Sequence, residues 1–84
     1  MKVIKNYASI ENEILKYIEK KHNTNLNKYD LANISFTTIS MDSLDVAELI
    51  LFIEEKYNID LNDKEIYHIK NIRDFIDYIY EKLK

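Results

Sequence analysis

The residues most able to do chemistry lie together in the run Ser40-Met41-Asp42-Ser43-Leu44-Asp45. A serine hydroxyl serves either as a nucleophile activated by a neighbouring base or as the acceptor of a group delivered by another enzyme. Activation is unsupported here. The two histidines, His22 and His68, are both distant in sequence from Ser43, and a chain without glycine cannot form the Gly-rich oxyanion turn of a nucleophile elbow. The absence of cysteine excludes a disulfide frame and a thiolate metal site, and two widely separated histidines give no zinc motif. Any thiol chemistry therefore requires a thiol from outside. By itself, Asp42-Ser43 before an apolar helical pattern is an N-capping signal.

The elements that must position this serine are helical. Ser9 is suited to cap a first helix over Ile10 to Lys21, in which Ile10, Ile14, Tyr17 and Ile18 share one face. From His22 to Met41 the text is rich in Asn and loses periodicity. Leu26, Tyr29, Leu31, Ile34, Phe36 and Ile39 are the residues that would pin this long loop to a core. Asp42 then caps a second helix over Ser43 to Tyr57, whose inward stripe is Val46, Leu49, Ile50, Ile53 and Tyr57. Glu48, Leu51 and Glu55 fall on its outer face. Asn58 is a left-handed stop, because Asn tolerates positive φ better than most residues. Asn62 or Asp63 would cap a short third helix from Glu65 to His68. Asn71 with Asp74 has the spacing of a capping box before a last helix carrying Ile72, Phe75, Ile76, Ile79, Tyr80 and Leu83. The expected fold is all-α: a four-helix bundle with three main helices, one short third helix and a long loop between the first two. No internal repeat is apparent.

Eighty-four residues make one small domain, able to bury only about 60 to 65% of its unfolded surface. Residues 1–41 carry a charge of +2 and residues 42–84 a charge of −5, giving −3 overall. That polarity argues against nucleic acid and for partners with basic surfaces. The sequence from Met1 to Tyr7 lacks a signal-peptide apolar run, and no stretch is long enough to span a membrane. A cytoplasmic, monomeric protein is expected. Glycine and proline are both absent, so Asn and Asp must make the turns.

The stretch from Asp42 to Ile72 resembles the acyl carrier protein family. Asp42-Ser43-Leu44-Asp45 matches the family signature, and the helix continues through Val46, Glu48, Leu49, Glu54 and Glu55 in the family's style. Tyr57 stands at a usual aromatic position. Ile59-Asp60-Leu61-Asn62-Asp63 resembles the inter-helix segment, and Ile69 with Asn71-Ile72 resembles the entry to the last helix. Upstream, Ile10, Ile14 and Ile18 align without a gap, so the resemblance implies one carrier domain over 1–84 with a short N-terminal extension at 1–8. Two positions depart: Ser40 replaces a common glycine and Asn62 a common proline.

The resemblance implies that a separate phosphopantetheinyl transferase, using Mg²⁺ to neutralise the pyrophosphate of coenzyme A, attaches 4'-phosphopantetheine to the Ser43 hydroxyl. Asp42 and Leu44 would flank the attachment point. Asp45, Glu48, Leu51, Glu54 and Glu55 would form the face that meets basic docking surfaces of acyl-transfer and chain-elongation enzymes. The chain itself would be non-catalytic, carrying acyl intermediates as thioesters for fatty acid or related acyl-chain biosynthesis. A dedicated polyketide or nonribosomal carrier, or an unmodified helical interaction module, are the alternatives. Burial of a cargo chain would stabilise the loaded form by at most about 0.8 kcal/mol per methylene. Phe52, at a position where the family often has a small residue, would narrow such a pocket.

Overall fold

The computed structural model describes residues 6–26, 30–61 and 64–83. Three α-helices, α1 (Tyr7–His22), α2 (Ser43–Tyr57) and α3 (Ile72–Leu83), are joined by segments containing 3-10 turns at Thr37–Ile39 and Lys64–His68. The expected third helix is thus a 3-10 turn beginning at Lys64. Its proposed caps, Asn62 and Asp63, lie outside the described residues, as does Tyr29.

α1 begins earlier than its sequence pattern suggested. Asn6, not Ser9, is the N-cap, and its side chain accepts the Ser9 amide at 2.8 Å. Tertiary contacts explain the extra turn. The Tyr7 hydroxyl donates to Asp77 at 2.5 Å and accepts from Arg73 at 2.7 Å, while its ring meets Tyr80 edge-on at 5.3 Å. Arg73 also pairs with Glu11 at 2.5 Å. Tyr7 and Ala8, expected in an N-terminal extension, therefore belong to the bundle.

These contacts run α1 antiparallel to α3. Tyr17 stacks on Phe52 with ring centroids 4.2 Å apart, and Glu13 meets Lys56 and Tyr57, so α1 is antiparallel to α2 as well. Between the helices, Ile10, Ile14, Ile18, Leu49, Ile53, Ile72, Phe75, Ile76 and Ile79 are sealed from solvent. No buried polar or charged residue occurs among the described residues. Leu26, Leu31, Ile34, Phe36 and Ile39 are buried too, so the long loop is anchored by the side chains its sequence singled out.

The loop also completes α3. The first amides of a helix have no intrahelical acceptor. Here Ile72 donates to the Ile34 carbonyl at 3.1 Å and Arg73 to the Leu31 carbonyl at 3.0 Å, beside an antiparallel bridge between Ser35 and Asn71. The Asn71 side chain accepts the Asp74 amide at 2.7 Å. The reciprocal bond runs from the Asn71 side-chain amide to Asp74 at 3.1 Å, so the expected capping box is half formed by side chains.

Contrary to the expectation of no repeat, α1 and α2 end in the same construction thirty-five residues apart. Ile18-Glu19, Lys21, Asn23 and Leu26 correspond to Ile53-Glu54, Lys56, Asn58 and Leu61. Asn23 and Asn58 both adopt the left-handed conformation and donate to the Glu19 and Glu54 carbonyls. Each glutamate side chain then accepts the leucine amide, at 2.7 Å for Leu26 and 2.8 Å for Leu61. Tyr17 and Phe52 occupy equivalent positions in this repeat and stack on each other, each ring beneath the lysine of its own helix.

Ser40 is the third residue with positive φ, at 64°. The loop thus keeps a left-handed turn where glycine would suit it, and Ser40 bears the steric cost of a Cβ there. Ser40→Gly should raise stability by about 0.5 to 1 kcal/mol, after allowing for glycine's greater unfolded-state entropy. A higher urea midpoint with an unchanged slope would show this, and a lower midpoint would contradict it.

Burial, followed by the hydrogen bond it donates to Glu13 and the charge of that carboxylate, raises the Tyr57 phenol well above its ordinary value of 10.0. Tyr7 shifts the same way, through burial and then Asp77. A raised folded-state pKa stabilises fully below the ordinary value, and the contribution is lost as pH climbs toward the folded one. The wild type should therefore lose stability above pH ~10 more steeply than Tyr57→Phe. Urea midpoints from neutral to strongly alkaline pH test this, and parallel curves would contradict it.

Candidate functional site

Asp42 and Asp45 close a reciprocal cap at the head of α2. Asp42 accepts the Asp45 amide at 2.9 Å, and Asp45 accepts the Asp42 amide at 3.0 Å. The helix ends at Asn58, so both limits read from the sequence hold. Ser43, the first residue of α2, is exposed and its side chain makes no hydrogen bond among the described residues. The cap fixes the backbone while leaving this hydroxyl available.

Beside Ser43 lies a groove of about 400 Å³ between the loop and the entry to α3, lined by Ser35, Phe36, Thr37, Met41, Asp42, Val46, Ile69 and Lys70. No histidine lines it among the described residues. Its carboxylate, Asp42, is held below its ordinary pKa, first by the Asp45 amide hydrogen bond, and is a correspondingly poor base. Among the described residues, no strong base stands ready to activate this serine as a nucleophile. Phe52 does not line this groove. It packs on Tyr17 instead.

Along α2, Leu44 is 67% and Leu51 57% exposed, and Glu48 and Glu55 are also exposed. Asp45 and Glu54 differ from these. Both are half-buried, with Asp45 engaged in the cap and Glu54 holding the Leu61 amide. Tyr67, which the sequence reading passed over, is 67% exposed and shares a second groove with Ala47, Ile50 and Leu51. Its signal was an exposed aromatic directly after the buried Ile66.

An exposed serine at the head of a helix in a small helical bundle is open to a group brought by another protein. The comparisons with known proteins agree. Residues 12–79 match the model of the phosphopantetheine attachment site family. The chain is similar to the crystal structure of an acyl carrier protein from Thermotoga maritima, with a TM-score of 0.75 and 26% identity over 92% of this chain and 89% of that one. No curated protein shows significant similarity. The chain belongs to the phosphopantetheine attachment family, with the acyl carrier protein fold, and is a non-catalytic carrier domain for 4'-phosphopantetheine. The exposed, unengaged Ser43 hydroxyl fits that group. When bound, the group supplies the thiol that the chain lacks. No described helix is long and apolar enough to cross a membrane.

Proposed function

We infer that Ser43 carries the phosphopantetheine arm, flanked by Asp42 and Leu44, and that the loaded chain presents acyl intermediates as thioesters for fatty acid or related acyl-chain biosynthesis. The observation that carries this is the exposed hydroxyl at the head of a doubly capped α2, followed by Leu51 exposed between Glu48 and Glu55. Those residues are the docking face for basic surfaces of the phosphopantetheinyl transferase and of acyl-transfer and elongation enzymes. Asp45 and Glu54 add charge at its border while holding α2's ends.

Loading the arm from an enzyme that couples fatty acids to carrier thiols tests this reading. Intact mass should show one acyl chain per arm, with no uptake from an aminoacyl donor. Glu48→Lys with Glu55→Lys should leave folding intact, because exposed charges contribute only about 0 to 1 kcal/mol each. The same variant should load about 10-fold or more slowly at low salt. Added salt should narrow the gap, since such fields are screened within about 8 to 10 Å. Absence of acyl uptake contradicts the function. Wild-type rates for the folded double variant remove α2 as the docking face.

A further inference from the structure

We propose that the seam between α1 and α2 at Tyr17 and Phe52 is a docking groove for an acidic segment of a partner protein, gripped by Lys16, Lys20, Lys21 and Lys56 over the two stacked rings. Ser43 lines no part of this surface, so the inference stands apart from the attachment reading.

The acids and bases of α1 are used differently. Each of its glutamates is engaged within the chain. Glu11 pairs with Arg73 at 2.5 Å, Glu13 meets Lys56 at 3.7 Å and accepts from the Tyr57 hydroxyl, and Glu19 accepts the Leu26 amide at 2.7 Å. Lys16 and Lys20, by contrast, are exposed and have no ion pair among the described residues. Lys21 and Lys56 are exposed too, and lie over the Tyr17 and Phe52 rings at 5.9 and 6.0 Å from their centroids. Folding thus occupies the negative charge of α1 and leaves its positive charge facing solvent, a basic patch on a chain of net charge −3. The matched ends of α1 and α2 sharpen the contrast. Thirty-five residues on, Lys16 and Lys20 correspond to Leu51 and Glu55, so a basic surface that suits α2 is repelled by α1.

Shape then selects the occupant. Two adjoining grooves of about 350 and 340 Å³ share Tyr17 and Lys20, and Lys16, Phe52 and Lys56 extend the second of them. The half-buried rings form an apolar floor between cations, along which lysine stems can lie while their ammonium groups stay in water. Glu13 also lines the second groove, but Lys56 balances it, which leaves Lys16, Lys20 and Lys21 to meet a partner. A protruding segment of carboxylates with one apolar side chain among them satisfies both features, its acids on the lysines and its apolar group on the rings. A bilayer is flat on this scale and would reach the lysines without filling the grooves.

The test titrates the unmodified chain with a blocked pentapeptide of glutamates around a central phenylalanine, followed by amide and lysine side-chain NMR. Shifts should cluster at Lys16–Lys21 and Phe52–Lys56. Lys16→Gln with Lys20→Gln should keep the melting temperature and bind about 5-fold or more weakly. Lys64→Gln, which lies outside both grooves, should bind as wild type does. Exchanging the central phenylalanine of the peptide for glycine should also weaken binding several-fold, because the ring floor loses its contact. Equal affinity for the two peptides would reduce the patch to unspecific charge attraction and overturn the proposal. Shifts centred elsewhere, or undiminished binding by the folded double variant, would do the same. Phosphatidylglycerol vesicles should not retain the chain at physiological salt, and retention that the double variant abolishes would assign the patch to a membrane instead.

Discussion

Phe75→Ala is expected to destabilise the domain by about 3 to 5 kcal/mol, the range for emptying a sealed aromatic site. Phe75 is fully buried in the first turn of α3 and meets Phe36 edge-on, with centroids 5.2 Å apart and planes at 88°. Its loss would therefore leave a cavity and also release the loop residue that forms one wall of the groove beside Ser43. A domain of this size has a total stability of roughly 4 to 13 kcal/mol, at about 0.05 to 0.15 per residue. The substitution removes a large share of that margin. Urea denaturation should show a midpoint far below wild type, and hydrogen exchange should rise in the loop as well as in α3. A shift below about 1 kcal/mol would mean that the bundle repacks around the gap, contrary to the sealed core described above.

How much of this was legible in the sequence depends on the range of the interactions involved. Both ends of α2 were readable because Asp42 and Asn58 act on backbone within a few residues of themselves. The inward stripe was readable because helical spacing alone sorts Leu49, Ile50 and Ile53 from Glu48, Leu51 and Glu55. The start of α1 was not, since Tyr7 is held by Asp77 and Arg73, seventy and sixty-six residues away. For the same reason, no local signal marks the carbonyls of Leu31 and Ile34 as caps for α3.

The matched ends of α1 and α2 were hidden by substitutions between equivalent sites. Tyr17 answers Phe52, and His22 answers Tyr57, so the common design emerges from the hydrogen bonds of Glu19 and Glu54. At the site, the serine and its cap were legible. The groove beside them was not, because only folding brings the loop and the α3 entry to Ser43.

Attachment of the arm to Ser43 is the central claim, and intact mass followed by peptide mapping tests it most directly. Wild type incubated with coenzyme A, Mg²⁺ and a broad-specificity phosphopantetheinyl transferase should gain one phosphopantetheine, and the modified peptide should contain Ser43. Ser43→Ala should gain none. It should also keep its helical circular dichroism and melting temperature, because the cap depends on Asp42 and Asp45 rather than on the exposed hydroxyl. Modification mapped to another serine such as Ser40, uptake by folded Ser43→Ala, or no mass gain in wild type would contradict the account.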